Sequence, residues 1–465
     1  MPVPLSRLKR SIAPALLSAL CLAAMAGATA ADPLIIPDTQ LEPRDWNSLE
    51  GWGADDHIAS FSAFKKSCVP FLAGKEPRQR EERPIRGALW QVCRRAARFE
   101  PETTAEAQAF FEENFRPVAI ARLGESSGLL TGYYEPVVDG SRFPSPEFPV
   151  PLYRRPHDLL VAGRPVGRKS EVPNRATINR RDANNQLVPY YDRAAIENGA
   201  LDGQHLEICW VRDQFVALSI QIQGSARVRL EDGTMLRVNY DSHNGHPYAA
   251  VGRILIEQYG IPAEQMSMER IRQWMQANPD QAAKVRQSNP SFVFFRITGL
   301  SDDGEAVGGQ GVPLSPGRSV AVDRIHTYGT PLFIMADLPI ESDRANTKFR
   351  RLMIAQDTGS AIIGPARADL YWGAGDAAGH IAGRIRQQGR FVMLLPRELD
   401  MVEAGRSMPL PVAKPPIPEP AQVKNGAEKG KGEHVAEGEA PPRPLRRLGE
   451  PLGRHPAKPK SRSGI

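Results

Sequence analysis

The sequence predicts a mainly β fold with peripheral helices, and three observations carry that reading. Apolar runs of strand length fill much of the stretch from Phe148 to Tyr240 and return from Ser291 to Leu395. Val228 to Leu230 and Met235 to Val238 flank Glu231-Asp232-Gly233-Thr234, an Asp-Gly turn between alternating residues, which signals a hairpin. Three aspartates, Asp323, Asp357 and Asp369, stand beside apolar β-type runs, although aspartate is a poor strand former. Such an aspartate either caps a turn through backbone N–H groups or is held for chemistry.

At 465 residues the chain can hold two or three domains, and its 41% hydrophobic and 24% charged residues suit a soluble globular protein. Arg7, Lys9 and Arg10, an apolar run from Ala13 to Ala26 and then Ala28-Thr29-Ala30 form the pattern of an export signal over 1–30. No later stretch is apolar enough to span a bilayer. Cys21 follows Leu20, where a lipid-attachment cysteine wants a small residue. Export makes a Cys68–Cys93 disulfide plausible and leaves Cys209, inside Leu206-Glu207-Ile208-Cys209-Trp210, as a buried thiol. None of these spacings is that of a zinc site, and His243 with His246 reads as a polar loop, so no metal or cofactor is expected. A net charge of +6 on an exported chain points to an anionic partner in the cell envelope rather than to nucleic acid.

Taken in order, Asp32 to about Leu72 is a loop-and-helix lead-in. A helix starts at Thr103, where Thr103 and Glu106 suit a capping box and Ala107, Phe110, Phe111 and Phe115 follow at helical spacing. Leu129 to Val138 reads as a strand interrupted by Gly132, a residue that often marks close approach by a ligand or another backbone. The adjacent Tyr133 and Tyr134 suit either core or a sugar-stacking face. Leu218 to Ser225 alternates, which as a strand places Ser219, Gln221 and Gln223 on one face, either solvated or facing sugar hydroxyls. Helices are expected over Tyr248–Tyr259, Ser267–Ala277 and Asp280–Gln287. Strands return at Ser291–Phe295, Ser319–Val322, Pro331–Met335 and Leu352–Ala355. Asp376 is expected to cap one more helix that Gly389 ends, before a strand over Phe391–Leu395. The Pro- and charge-rich segment 408–465 lacks apolar periodicity and reads as a disordered tail.

Leu130-Thr131-Gly132-Tyr133-Tyr134-Glu135-Pro136, Pro151-Leu152-Tyr153-Arg154, Gln221-Ile222-Gln223-Gly224-Ser225, Asn289-Pro290-Ser291-Phe292-Val293-Phe294-Phe295 and the three aspartate strands occur in an order that resembles the membrane-bound lytic murein transglycosylase A family. The resemblance implies a double-psi β-barrel from 32–140 plus 290–400 and a smaller inserted β-barrel domain over 141–289, with a glycan groove between them. It implies cleavage of the β-1,4 bond between N-acetylmuramic acid and N-acetylglucosamine in peptidoglycan, leaving a 1,6-anhydromuramoyl end. Peptidoglycan strands are then the partner and the periplasm the location, with outer-membrane or cell-wall association and a monomeric state expected. Carried over by position, Asp369 is the catalytic acid, Asp357 and Asp323 complete the aspartate set, and Thr131, Gly132, Tyr133, Tyr134, Gln223, Gly224 and Ser225 form the sugar-binding walls. Family members are usually outer-membrane lipoproteins, and the Leu20-Cys21 pair departs from that pattern.

Ordinary glycosidases use two carboxylates. Where the substrate's own C6 hydroxyl attacks, one carboxyl can protonate the leaving O4 and then accept the O6 proton. Asp369 must start protonated, and burial or a negative neighbour such as Asp357 would raise its pKa. Two rival readings stand beside this one. Asp357-Thr358-Gly359-Ser360 is also the active-site string of aspartic proteases, which need a second such element that this chain lacks. A non-catalytic peptidoglycan-binding barrel is the other.

Overall fold

The computed structural model describes residues 36, 38–74, 84–165, 172, 176–299 and 304–399. The expected export signal, Cys21 and the tail 408–465 lie outside the described residues. No described helix is long and apolar enough to cross a membrane.

Strands β1 (Thr39–Pro43), β2 (Phe115–Arg122) and β3 (Gly128–Glu135) begin one sheet. Strands β4 (Val137–Ser141), β5 (Val150–Tyr153), β6 (Leu160–Val161), β7 (Arg164–Pro165), β8 (Ile178–Arg181), β9 (Leu187–Pro189), β10 (Glu207–Val211), β11 (Ser225–Arg229), β12 (Met235–His243) and β13 (Val293–Gly299) build two others. The chain then returns to the first sheet with β14 (Ser319–Val322), β15 (Pro331–Leu338), β16 (Thr347–Asp357), β17 (Arg367–Ala374) and β18 (Arg386–Pro396).

That first sheet runs β1-β2-β18-β15-β16-β14-β17-β3, and β18 also pairs with β3. Six strands, β3, β17, β14, β16, β15 and β18, therefore close into a barrel, which removes their free edges. This is the double-psi barrel the resemblance implies. One apolar, fully buried core joins the barrel to the helices packed on it, with Leu130, Val320, Phe333, Leu352, Ile354, Leu370 and Leu394 among its residues. The second sheet, β13-β12-β11-β4-β10-β5, is inserted between β3 and β14, and a bridge from Arg154 to Phe295 brings its two ends together. Leu152, Val211, Val228, Val238 and Phe295 form its core. The expected hairpin is β11–β12, and Gly233 takes a φ of 80°, the left-handed conformation its turn requires.

Helices α1 (His57–Ala73), α2 (Pro84–Ala96) and α3 (Thr104–Asn114) pack against the barrel. Phe110 and Phe111 of α3 meet Phe61 and Phe64 of α1, with ring centroids 4.9–6.4 Å apart. Thr103 Oγ1 accepts from Glu106 N at 3.2 Å, while the Glu106 carboxylate accepts from Glu102 N rather than closing the expected box on Thr103. A disulfide joins Cys68 of α1 to Cys93 of α2, and Cys209 is a buried thiol. A single turn, α4 (Arg193–Ala195), precedes α5 (Gln214–Gln223), and α6 (Val251–Tyr259), α7 (Met268–Ala277) and α8 (Pro279–Gln287) follow close to their expected spans. A last helix, α9 (Gly375–Arg384), covers β3 and β17.

Two expectations fail for physical reasons. The alternating stretch Leu218 to Ser225 is not a strand: its first six residues lie in α5. Asp213 accepts from Val216 N at 2.8 Å as N-cap, and Gly224 (φ 83°) ends the helix in the left-handed conformation. Ala217, Leu218, Ile220 and Gln221 are buried, a helical stripe, so caps and tertiary burial override the local alternation. Asp376 likewise sits inside the first turn of α9 without capping it, and Gly389 belongs to β18. A β-carbon on Gly389 would lie 2.6 Å from Leu130 Cδ1, so close packing explains this glycine.

Two outcomes test this description. Replacing Asp213 by Ala should cost about 1 kcal/mol in denaturant unfolding, the usual value of an N-cap; no loss would contradict a helix start there. Cys68→Ser/Cys93→Ser should lower stability by about 3.5 kcal/mol, the loop-entropy value for a 25-residue separation. Equal unfolding midpoints with and without reductant would show that the bond contributes nothing.

Candidate active site

The position of the aspartates follows from strand register. Strand β14 lies between β16 and β17, and Ala321 pairs with Asp357 on one side and with Asp369 on the other. Two interstrand steps separate the aspartates, about 10 Å between Cα atoms. Both line one open cleft, together with Tyr133, Gln223 and the 358–362 turn.

Asp357 is held on both oxygens. Gly309 N and Thr358 N each donate to Oδ1 at 2.8 Å, and the Tyr133 hydroxyl donates to Oδ2 at 2.8 Å. Burial raises its pKa; the three donors oppose that, and repulsion from Asp369 adds to it. A β-carbon on Gly309 would lie 2.6 Å from the Tyr328 hydroxyl, so a side chain there would require that ring to shift. Asp369 is engaged more lightly: Thr131 Oγ1 donates to Oδ1 at 2.6 Å and itself accepts from Arg367 Nη2 at 2.8 Å. Burial raises the Asp369 pKa as well, opposed by the Arg367 charge and the Thr131 bond. Burial is thus the dominant cause for both carboxyls.

Asp323 is placed differently from the other two. It is buried at the end of β14, where Gly364 N donates to Oδ2 at 2.7 Å and Ile325 N to Oδ1 at 3.2 Å. With His326 Nε2 against Pro365 O at 2.9 Å, it pins the loop that leads from Asp357 to Asp369.

Among the expected wall residues, Thr131 and Tyr133 face the aspartates from alternate positions of β3. The Tyr133 ring packs on Tyr371 at 5.2 Å, and Tyr371 donates to Glu305 Oε2 at 2.7 Å. Gly132 points the other way, where a β-carbon would lie 2.7 Å from Ala382 Cα, so the close partner is the α9 backbone. Tyr134 lies over Gly379 of that helix. Gln223 lines the cleft and accepts from Tyr134 N at 3.1 Å, tying α5 to β3. Gly224 is the left-handed end of α5, and Ser225 is buried at the start of β11.

Sequence reasoning missed several lining residues. Arg367 stands two places before Asp369, and a period of two puts both on one strand face. Arg193 builds the opposite wall: its Nη2 donates to Gln221 Oε1 and to Ser291 O at 2.6 Å each, and its Nε to Asn289 O at 3.0 Å. Asn289, Ser291 and Val293 alternate along the wall, a periodicity present in the sequence but unassigned without a facing strand. No group of three or more His, Cys, Asp or Glu side chains suited to a metal occurs among the described residues.

Comparison with known proteins agrees with this fold. The family model described as the MltA specific insert domain matches residues 129–296, and that of the 3D domain matches 318–395. Membrane-bound lytic murein transglycosylase A of Escherichia coli (strain K12) is 31% identical over 268 residues, 57% of this chain; the match spans 64% of that relative, just under two thirds of its length. The crystal structure of membrane-bound lytic murein transglycosylase from Agrobacterium tumefaciens is 34% identical, aligns over 79% of this chain and 99% of that one, and superposes with a TM-score of 0.68. That of E. coli MltA with bound chitohexaose is 25% identical over 78% of this chain and 94% of that one, with a TM-score of 0.54. A third or more of the residues shared along nearly the whole length of the Agrobacterium protein, in one fold and with both domain models in the same order, means that this chain belongs to the membrane-bound lytic murein transglycosylase A (MltA) family.

Proposed function

We propose that the chain is a lytic transglycosylase of the periplasm, cleaving the β-1,4 MurNAc–GlcNAc bond of peptidoglycan with formation of a 1,6-anhydromuramoyl end, and that it acts as a monomer on the cell wall. The observation that carries this reading is the unequal treatment of two buried carboxyls in one cleft. Asp357 receives two main-chain N–H groups and a phenol, donors that favour an anion. Asp369 receives one hydroxyl and is raised by burial. On this reading the charge is placed on Asp357, which has three donors, and the proton on Asp369, with burial outweighing the Arg367 charge that favours its anion. A glycan lying between the barrel and the Gln223 wall presents its glycosidic oxygen to Asp369. The Asp369 proton passes to O4 of the departing N-acetylglucosamine as the C1–O4 bond breaks. The muramyl O6 then closes on C1, and its proton returns to Asp369. No water is consumed, so one acid/base suffices. The binding of chitohexaose by E. coli MltA supports a sugar polymer as the occupant. An aspartic-protease dyad is disfavoured because Asp369 bonds Thr131, and no hydrogen bond joins it to Asp357 among the described residues.

Purified peptidoglycan should yield muropeptides one water lighter than those released by a lysozyme, read by mass spectrometry. Products of hydrolytic mass would move the chain to the hydrolases, and free peptides alone would revive the protease reading.

Asp369→Asn should reduce turnover at least about a hundredfold, the low end of general acid catalysis, while sacculus binding survives. Because burial raises the Asp369 pKa, the acid form persists to higher pH than for a free carboxyl, and activity falls as pH rises through that value. Asp357→Asn should cost less and, by removing a negative neighbour, move this alkaline fall to lower pH. Retained activity in Asp369→Asn with loss in a folded Asp357→Asn or Asp323→Asn would overturn the assignment.

Tyr133→Phe keeps the ring but deletes one donor to Asp357, so the Asp357 pKa should rise. The proton then distributes between the two carboxyls, and the pH–activity profile should change while KM holds. A profile identical to the wild type would show that the Tyr133 bond has no part in charge placement.

A further inference from the structure

Strand pairing continues the aspartate row past the acid. Asp357, Ala321, Asp369, Thr131 and Arg386 are successive partners across β16, β14, β17, β3 and β18. Paired residues on neighbouring strands share a face, and the Thr131–Asp369 hydrogen bond fixes that face as the cleft side. Arg386 thus stands on the same strand face two strands beyond Asp369, about 10 Å from it between Cα atoms and just outside the residues that line the cleft. Its side chain is exposed, and it pairs with no carboxylate among the described residues. Nearby Arg384 is occupied: its guanidinium donates to the Pro339 and Ile340 carbonyls. Arg367, on the same face, is held by Thr131 Oγ1 and the Ala368 carbonyl. Its pKa is lowered by burial, with a smaller contribution from the Arg386 charge, which places the two cations within each other's field. Arg367 lies beside Asp369 and Arg386 beyond it on the same face, and when Asp369 carries its proton it neutralises neither.

We propose that Arg386 binds a carboxylate carried by the sugar seated against Asp369, so that this end of the cleft favours acidic over neutral glycan. The inference rests on the lytic transglycosylase reading and names what that site would select. A muramyl residue offers such a carboxylate from its own lactyl group once the stem peptide is removed, and from the stem peptide otherwise; a neutral N-acetylglucosamine chain offers none. Guanidinium suits this task because its N–H groups can grip a carboxylate in pairs. At a solvent-exposed rim the contact should contribute a factor of about three to five in Kd rather than a thousand.

The test is calorimetric binding by the full chain carrying Asp369→Asn, which leaves the ligands uncut, to chitohexaose, to muramyl strands trimmed of peptide and to peptide-bearing strands. Adding Arg386→Gln should weaken at least one acidic ligand about three- to fivefold, reduce the salt dependence of that binding and leave chitohexaose binding unchanged. Arg386→Lys should recover part of the loss. A loss confined to trimmed strands identifies the lactyl carboxylate, and one confined to peptide-bearing strands the stem peptide. Equal losses on neutral and acidic ligands, or none on either acidic ligand, would overturn the proposal. Absence of anhydromuramoyl products from the wild-type chain would remove the proposed activity and leave this binding comparison readable.

Discussion

The arrangement of this molecule depends on one short strand. Four residues, Ser319 to Val322, run parallel to β16 and antiparallel to β17, and the register through Ala321 sets Asp357 and Asp369 on either side of it. A slip of one residue would turn every side chain of that strand to the other face. The closed barrel guards against this, since each of its six strands is paired on both edges. The surrounding groups follow from the cost of burying two carboxyls. Gly309, Thr358 and Tyr133 stabilise one as an anion, while the other is left with Thr131 and the nearby Arg367 charge.

Strand β3 links this chemistry to the second sheet. Thr131, Tyr133 and Glu135 alternate on one face, reaching Asp369, Asp357 and a pair of largely buried arginines in turn. Glu135 is fully buried, with Arg227 Nε at 2.7 Å and Arg237 Nε at 3.2 Å, both from the β11–β12 hairpin. A buried ion pair is weak evidence for stability, because desolvation offsets much of the attraction. Its consequence here is geometric: β3 is fixed against the inserted sheet whose neighbouring helix α5 carries Gln223 to the opposite wall. Removal of either arginine would leave a buried charge under-compensated at the junction.

Much of the fold was legible locally. The β11–β12 turn, the caps at Thr103 and Ser267, and the strands ending near Asp323 and Asp357 are written in a few adjacent residues, where backbone sterics and hydrogen bonding act at short range. The stretch from Leu218 to Ser225 was misread for the same reason. Its alternation is a strand pattern, and what makes most of it helical is the cap at Asp213 together with a buried surface that only the assembled protein supplies. Gly132 and Gly389 show the limit from another side: each marks a close approach, but the partner, Ala382 or Leu130, is distant in the chain.

By itself, the sequence determined that three aspartates end or flank apolar strands, that tyrosines and an amide-rich string accompany them, and that together they resemble one enzyme family. Tertiary structure alone decided that these aspartates are unequal. Asp323 spends its carboxylate on the backbone of a loop, Asp357 gathers three donors, and Asp369 keeps one. The physical reason is that a carboxyl's charge is set by burial and by the donors within hydrogen-bond reach of it. Those donors come from Gly309, Tyr133 and Thr131, residues far away in the chain that only the closure of the barrel brings to the same face.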